Sequence, residues 1–498
     1  MKRLLLPWFP SLLLFCITSG TVAAAPLTQN EAIRLSLERN LAVQSVLLQY
    51  QASEAAIGEA RGLYDPRLQL HLDAATSRDA LNSTPLTTSE NFATRFNFSL
   101  LQKLPSGAEV VAEINQRRDD NLQPTTAFDP SWRNEFQLSL SQPLLKGFGR
   151  MSTEEPILLA GKGRDSAIAT LTEEVTILVV DLRSLFVEIR RARAILASRR
   201  ASVGLAEQIL GENQAKVDAG LLPPLDILEA EVALKSRQRE LLDAEQAAEE
   251  LRDRLAEQLN LTTPPEVIIT DFLRSDLVLA EEADLAYALT HRPDLLRAEA
   301  QGESRRLEAT IAADRRRPAL DLVANYGQKG LADDYGQSLD QPLQDDLQNW
   351  SVGLIFNYPL GNRQAVGEAT RKKYLAVSAQ RDVERLREVA RRELRTAHRQ
   401  ILLGEVRLQV ASDGVTLAAE KLKNLLKRRE VGLTTTRAVF EGETDLARAQ
   451  TDLADAEALY DNAITSYLRA SGRLLDHEGI HFINEPSATP FFVSGTAN

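Results

Sequence analysis

At 498 residues, 44% of them apolar, the chain has material for two or three domains and a sizeable core. Its formal net charge of −12 excludes nucleic acid as a partner, because phosphate binding needs a basic face. The single cysteine, Cys16, excludes disulfides and thiol chemistry from the rest of the chain.

Lys2 and Arg3 precede an apolar run from Leu4 to Ile17 and small residues at Val22–Ala25, the pattern of a secretory signal peptide over 1–25. Phe15 before Cys16 does not suit lipid attachment, so no lipid anchor is expected. No later run of 18 apolar residues occurs, so membrane entry would require β-strands closed into a barrel.

A helix is predicted over 28–62. Strict alternation follows, the period-2 signature of strands with unlike faces. Leu68, Leu70, Leu72 and Ala74 alternate with polar residues, as do Phe96, Phe98 and Leu100, and then Phe136, Leu138 and Leu140. Glu109–Gln116 is a candidate further strand, joined to Phe92–Gln102 by the turn Leu104-Pro105-Ser106-Gly107. Segments 78–91 and 119–132 read as longer polar loops. From about Thr153 to Ala219 a heptad stripe runs unbroken through Val175, Leu182, Ile189, Leu196, Val203, Leu210 and Val217. At 1.5 Å per residue this helix is on the order of 100 Å long. A tight turn at Gly220 leads to a helix over 226–260, about half that length, and Pro264-Pro265 marks a boundary.

The chain then repeats itself. Thr290–Leu295 answers Glu38–Val43, Pro318-Ala-Leu-Asp-Leu answers Pro66-Arg-Leu-Gln-Leu, and Tyr358-Pro359-Leu360 answers Gln142-Pro143-Leu144. Leu320, Leu322, Ala324 and Tyr326 alternate on one strand, and Trp350, Val352, Leu354, Phe356 and Tyr358 on another. Trp132, Trp350, Tyr326 and Tyr358 are expected at strand ends, as an aromatic girdle. A second long helix, 365–431, carries Leu394, Ile401, Leu408, Val415 and Leu422 beside a small-residue stripe of Ala390, Ala397, Gly404, Ala411 and Ala418. Gly432-Leu433 then answers Gly220-Leu221, with Glu441 and Glu443 on Glu229 and Glu231. The organisation is signal peptide 1–25, first repeat 26–262, second repeat 263–475 and tail 476–498. A soluble coiled-coil bundle explains the helices equally well; the alternating strands favour a membrane protein. One chain supplies four to six strands, fewer than the roughly eight of the smallest outer-membrane barrels, so the barrel must be shared between subunits.

The order of these elements, the duplicated glycine turn (220–229, 432–441) and the run Gln-Pro-Leu-Leu-Lys-Gly-Phe-Gly (142–149) resemble the TolC-like outer membrane efflux proteins over about 28–475. The resemblance implies a mainly α fold with a membrane β-region: a long coiled-coil α-helical barrel plus a shared outer-membrane β-barrel, internally duplicated and trimeric. It implies an outer-membrane channel of a Gram-negative bacterium, extending into the periplasm. Such a channel exports substrates with a periplasmic adaptor and an inner-membrane transporter, and is neither an enzyme nor a cofactor binder. Members usually contribute four strands per subunit, and the hairpin at 92–116 would make six unless it folds outside the barrel.

The resemblance also places a periplasmic gate at Asp226, Glu229, Arg429 and Glu441, and an adaptor-docking tip at Gly220, Leu221, Leu222, Gly432, Leu433 and Thr434. Arg429 stands where relatives carry an aromatic, so an Arg429–Asp226 pair is expected to replace their closing contact. Two other functions compete: a periplasmic coiled-coil adaptor, and a zinc metalloprotease. The latter rests on His477-Glu478-Gly479-Ile480-His481, which fits the H-E-x-x-H pattern but contains a helix-weakening glycine.

Overall fold

The computed structural model describes residues 27–81, 87–121, 127–275, 277–344, 347–482 and 491–493. The expected signal peptide and parts of the tail lie outside these residues. The chain falls into two compact units. One comprises 40–181, 274–410 and 459–498; the other comprises the chain up to Arg39 with 182–273 and 411–458. No helix among the described residues is long and apolar enough to cross a membrane.

The helix expected over 28–62 is two: α1 (Gln29–Arg39) and α2 (Leu41–Arg61). Asn40 breaks it, its extended backbone freeing the side-chain oxygen to accept from the N–H groups of Ala42 (2.9 Å) and Val43 (3.3 Å). The second repeat breaks at the matching place. There α6 (Glu281–His291) gives way to α7 (Pro293–Asp314), because Pro293 disfavours helical backbone at Arg292 and is itself suited to a first helical position.

Six antiparallel strands form one sheet in chain order: β1 (Arg67–Leu81), β2 (Thr87–Lys103), β3 (Glu109–Asn121), β4 (Ser131–Pro143), β5 (Ala319–Ala332) and β6 (Gln348–Asn357). The extra hairpin, β2–β3, is thus inserted between β1 and β4 and not set outside. The strands run further than the polar composition of 78–91 and 119–132 suggests. A ladder needs only paired backbone, and past the apolar zone polar pairs such as Arg78–Glu90 (2.9 Å) face one another.

Register explains the alternation. The row Leu68, Leu100, Ala112, Leu138, Tyr326, Trp350 crosses all six strands on one face. On β1 the exposed apolar residues continue from it to Leu70 and Leu72; on β6 they continue in the opposite direction to Val352, Leu354 and Phe356. The apolar band therefore slips by about six residues over the five pairings, a tilt of roughly 40° at ~3.4 Å rise and ~4.8 Å spacing. Tyr326 lies in mid-strand, not at an end, because β5 continues through Gly327 and Gly330 to Ala332. Trp132 and Trp350 do lie near strand ends, and Tyr358 follows β6.

Toward the β5–β6 connection the same face turns polar and is covered by α8 (Tyr335–Gln344). Asn134 donates to Ser338 (2.5 Å), and Gln116 to the Tyr335 hydroxyl (2.9 Å). Gly330 permits the approach, since a Cβ there would sit 2.1 Å from the Ser338 carbonyl oxygen. At the opposite end, the β2–β3 turn seats on the Gln142–Gly149 run. Ser106 donates to the Gln142 side chain (2.8 Å), and the Gly149 N–H donates to the Ser106 carbonyl (3.0 Å). Gly107 (φ 89°) has no room for a side chain, with the Gly147 carbonyl 2.8 Å from its would-be Cβ.

The long helices are α4 (Glu155–Asp218), preceded by the short α3 (Arg150–Thr153), and α9 (Arg363–Glu430). Each turns back, into α5 (Leu225–Gln258) and α10 (Thr436–Ser471). The last elements are α11 (Leu474–His477), β7 (Ile480–Phe482) and β8 (Phe491–Val493). This ending removes the metalloprotease reading. Helix α11 stops at His477, Gly479 takes φ 68°, and His481 sits on a strand, so the two histidines share no helix face.

Candidate functional site: the paired hairpin turns

Both turns lie in the unit containing 182–273 and 411–458. They have the same backbone. Gly220 (φ 72°) donates to the Val217 carbonyl (2.9 Å), and Leu221 to that of Lys216 (2.8 Å). Gly432 (φ 74°) donates to Arg429 (3.1 Å), and Leu433 to Arg428 (2.8 Å). Each pair is a glycine-terminated cap that satisfies the last carbonyls of a long helix. The cap leaves Leu221 and Leu433 exposed, at 74% and 68%, while Leu222 and Thr434 are half-buried.

Under the turns, Ile209, Ala230, Leu422 and Val439 form a dry cluster, flanked by Leu205, Leu210, Leu425, Leu426, Phe440 and Leu446. Gly442 brings α10 against α9, since a Cβ there would lie 2.6 Å from Leu425 Cδ1. Beside this cluster Arg429 is buried, at 8% exposure. It donates to Glu212 Oε2 (2.9 Å) and to the Asn213 side-chain oxygen (2.9 Å). Asn213, wholly buried, in turn donates to the backbone carbonyl of Asp226 (3.1 Å). The expected Arg429–Asp226 side-chain pair is therefore corrected: Glu212 takes the guanidinium, and the link to Asp226 runs through Asn213 to its main chain. The fixed fork of arginine suits this arrangement, engaging two acceptors at once.

The remaining candidates are separate from that link. Asp226, half-buried, and Glu229, exposed, lie in the first turns of α5, where the helix dipole favours acids. Glu441 is exposed and pairs with Arg437 (3.2 Å) on its own helix. Lys421 and Asp445 bridge α9 and α10 at 2.7 Å, and that hydrogen bond holds the Asp445 carboxyl below the usual carboxylate range.

Sequence reasoning missed a second buried group. Glu443 is 4% exposed, accepts from the Ser202 hydroxyl, and is held by Arg237 at 2.7 Å. Arg237 also reaches Thr444 (2.7 Å). From Ser198 to the turn the buried line of α4 is Ser198, Ser202, Ala206, Ile209 and Asn213, while the apolar heptad residues Val203, Leu210 and Val217 are only half-buried. The available signal was the run of small and polar residues at three- and four-residue spacing.

The sequence matches the profile of the family described as "Outer membrane efflux protein" over residues 32–261 and 285–473. No curated protein matches at the sequence level. Among solved structures, the outer-membrane channel OprN is 16% identical with a TM-score of 0.65, over 89% of each chain. The CmeC outer membrane channel of Campylobacter jejuni is 13% identical with a TM-score of 0.64, over 95% of this chain and 94% of that one. The outer membrane protein VceC of Vibrio cholerae is 15% identical with a TM-score of 0.63, over 89% and 96%. At such identities the likeness is one of fold.

Proposed function

The chain belongs to the outer membrane efflux protein family, and on that premise we propose that three copies form a channel exporting solutes across the outer membrane, together with a periplasmic adaptor and an inner-membrane transporter. The observation that carries this reading is the sheet. Its apolar face is exposed, and among the described residues neither β1 nor β6 has a partner on its outer edge. Unpaired backbone at membrane depth is untenable, so the edges must meet those of other copies. Three copies of six strands give 18, a barrel about 35 Å across between backbones and of the size that leaves an aqueous channel. A periplasmic adaptor would have no use for an exposed apolar β-face.

At the hairpin turns, Asp226, Glu229 and Glu441 repeated threefold would make acidic rings favouring cations. Arg429, with Glu212 and Asn213, would hold the two hairpins together as the closed state. The exposed Gly220-Leu221-Leu222 and Gly432-Leu433-Thr434 tips would dock the adaptor through their leucines. The decisive experiment is outer-membrane fractionation followed by conductance in planar bilayers. A heat-modifiable outer-membrane protein with discrete conductance steps supports the reading; a protein recovered only in the soluble fraction would end it. Arg429→Ala should raise single-channel conductance, and unchanged conductance would remove this residue from the gate.

A further inference from the structure

The polar face of the sheet carries one row unlike the rest. Asp73, Arg95, Arg117 and Arg133 lie directly opposite one another on β1, β2, β3 and β4. The next row toward the β2–β3 turn reads His71, Asn97, Asn115, Glu135 and Lys329, and the next row outward reads Ala75, Ala93, Asp119 and Ser131. Three like charges on adjacent strands, with Cβ atoms roughly 5 Å apart, repel one another unless something neutralises them. Neutralisation within the chain is incomplete. Asp73 meets Arg95 at 3.4 Å and Asp119 meets Arg117 at 2.7 Å. Glu135, the other nearby acid, is engaged by Lys329 at 3.0 Å. Arg133 is exposed and has no ion-pair partner among the described residues.

We propose that Arg95, Arg117 and Arg133 form an anion site on the barrel lumen, taking oxyanions and carboxylate-bearing solutes. The assignment rests on the shared-barrel reading, which turns the polar face inward and the Leu68–Trp350 face to lipid. Adjacent guanidinium forks match the two oxygens of a carboxylate, phosphate or sulfate, which an ammonium group would meet only as a point charge. Arg133 supplies the unspent charge, and Arg117 and then Arg95 extend the patch from it across β3 and β2. Three copies repeat the row and leave three unpaired Arg133 guanidinium groups on the wall, and such uncompensated charges raise the local concentration of their counter-ions. The row makes the barrel favour anions, opposite to the acidic hairpin turns.

The test is ion selectivity of the whole channel in planar bilayers under a tenfold KCl gradient, comparing the parent with Arg133→Gln and with the triple Arg95→Gln, Arg117→Gln, Arg133→Gln. The triple variant should lower the chloride-to-potassium permeability ratio at least twofold, and Arg133→Gln alone should give part of that change. Because the Debye length grows from about 10 Å at 0.1 M salt to about 30 Å at 0.01 M, the difference should widen as salt is lowered. Sodium sulfate should reduce chloride current in the parent more than in Arg133→Gln. Arg133→Gln leaves both ion pairs of the row in place, so it carries the test if the triple variant fails to assemble. An unchanged ratio and unchanged sulfate effect in a conducting Arg133→Gln channel overturn the anion site while leaving the channel standing. A parent that inserts nowhere and conducts nothing overturns the channel reading and the site with it.

Discussion

The two hairpin turns share a backbone and differ in what lies beneath it. Gly220 and Gly432 have φ values of 72° and 74° and cap their helices through the same pair of hydrogen bonds. Yet Val217 in the first repeat corresponds to the buried Arg429 in the second, and the exposed Glu231 corresponds to the buried Glu443. Both buried charges of the second hairpin, α9–α10, are answered by groups of the first: Glu212 and Asn213 for Arg429, Ser202 and Arg237 for Glu443. Duplication has kept the geometry of the turn, which glycine alone secures. Divergence has made the two repeats electrostatically complementary, so that each hairpin specifies the other as its neighbour.

The comparison breaks most decisively at Glu443. Removing one member of a buried ion pair leaves the other uncompensated, so Glu443→Ala should cost about 3–5 kcal/mol. Glu231→Ala, at the matching exposed position, should stay within about 0.5 kcal/mol. Melting of the detergent-extracted protein measures both, and equal losses would abolish the proposed asymmetry. Next is Arg429→Ala, expected to cost about 1.5–3 kcal/mol through its two charge-assisted hydrogen bonds. Arg429→Lys should recover only part of that, since an ammonium cannot hold both acceptors in the same geometry; full recovery would mean charge alone matters there. Gly220→Ala and Gly432→Ala sharpen the other half of the comparison. Neither site has an atom within 4 Å of the added Cβ, so each change should cost only the left-handed backbone, about 1–2 kcal/mol, and the two costs should match.

The smallest effect concerns pH. Lys421 and Asp445 occur only in the second repeat, their counterparts being Ile209 and Ala233. The hydrogen bond from Lys421 lowers the Asp445 pKa, so the pair's contribution is present above the ordinary carboxylate value of ~3.9 and is lost as pH falls through the lowered one. Asp445→Asn should therefore slightly flatten the loss of melting temperature on acidification below about pH 4. A parent and variant with superimposable acid profiles would show that the exposed pair contributes nothing.

Much of this architecture is legible in the sequence, because period-2 alternation and heptad stripes report directly on which face of an element is apolar. Leu68, Leu70 and Leu72 announce β1, and the glycines at 220 and 432 announce the turns. Strand ends were less legible: hydrogen-bond ladders continue through polar residues such as Arg78 and Glu90, where composition suggests a loop. The break at Asn40 was missed because a good cap residue inside an apolar pattern looks like an ordinary polar position. Burial of Arg429 and Glu443 was illegible for a deeper reason. A charge is buried only when its partners are, and those partners lie more than 200 positions away in the chain. The candidate residues at the turns were found, but the pairing among them depends on that distant neighbour.

The central claim is that six-stranded sheets from three chains close one barrel. Native mass spectrometry of the detergent-extracted protein tests it most directly, since the number of chains fixes the number of strands. The expected result is a single species of three chains, hence 18 strands. A stable species of one chain, or of two with 12 strands, would contradict it.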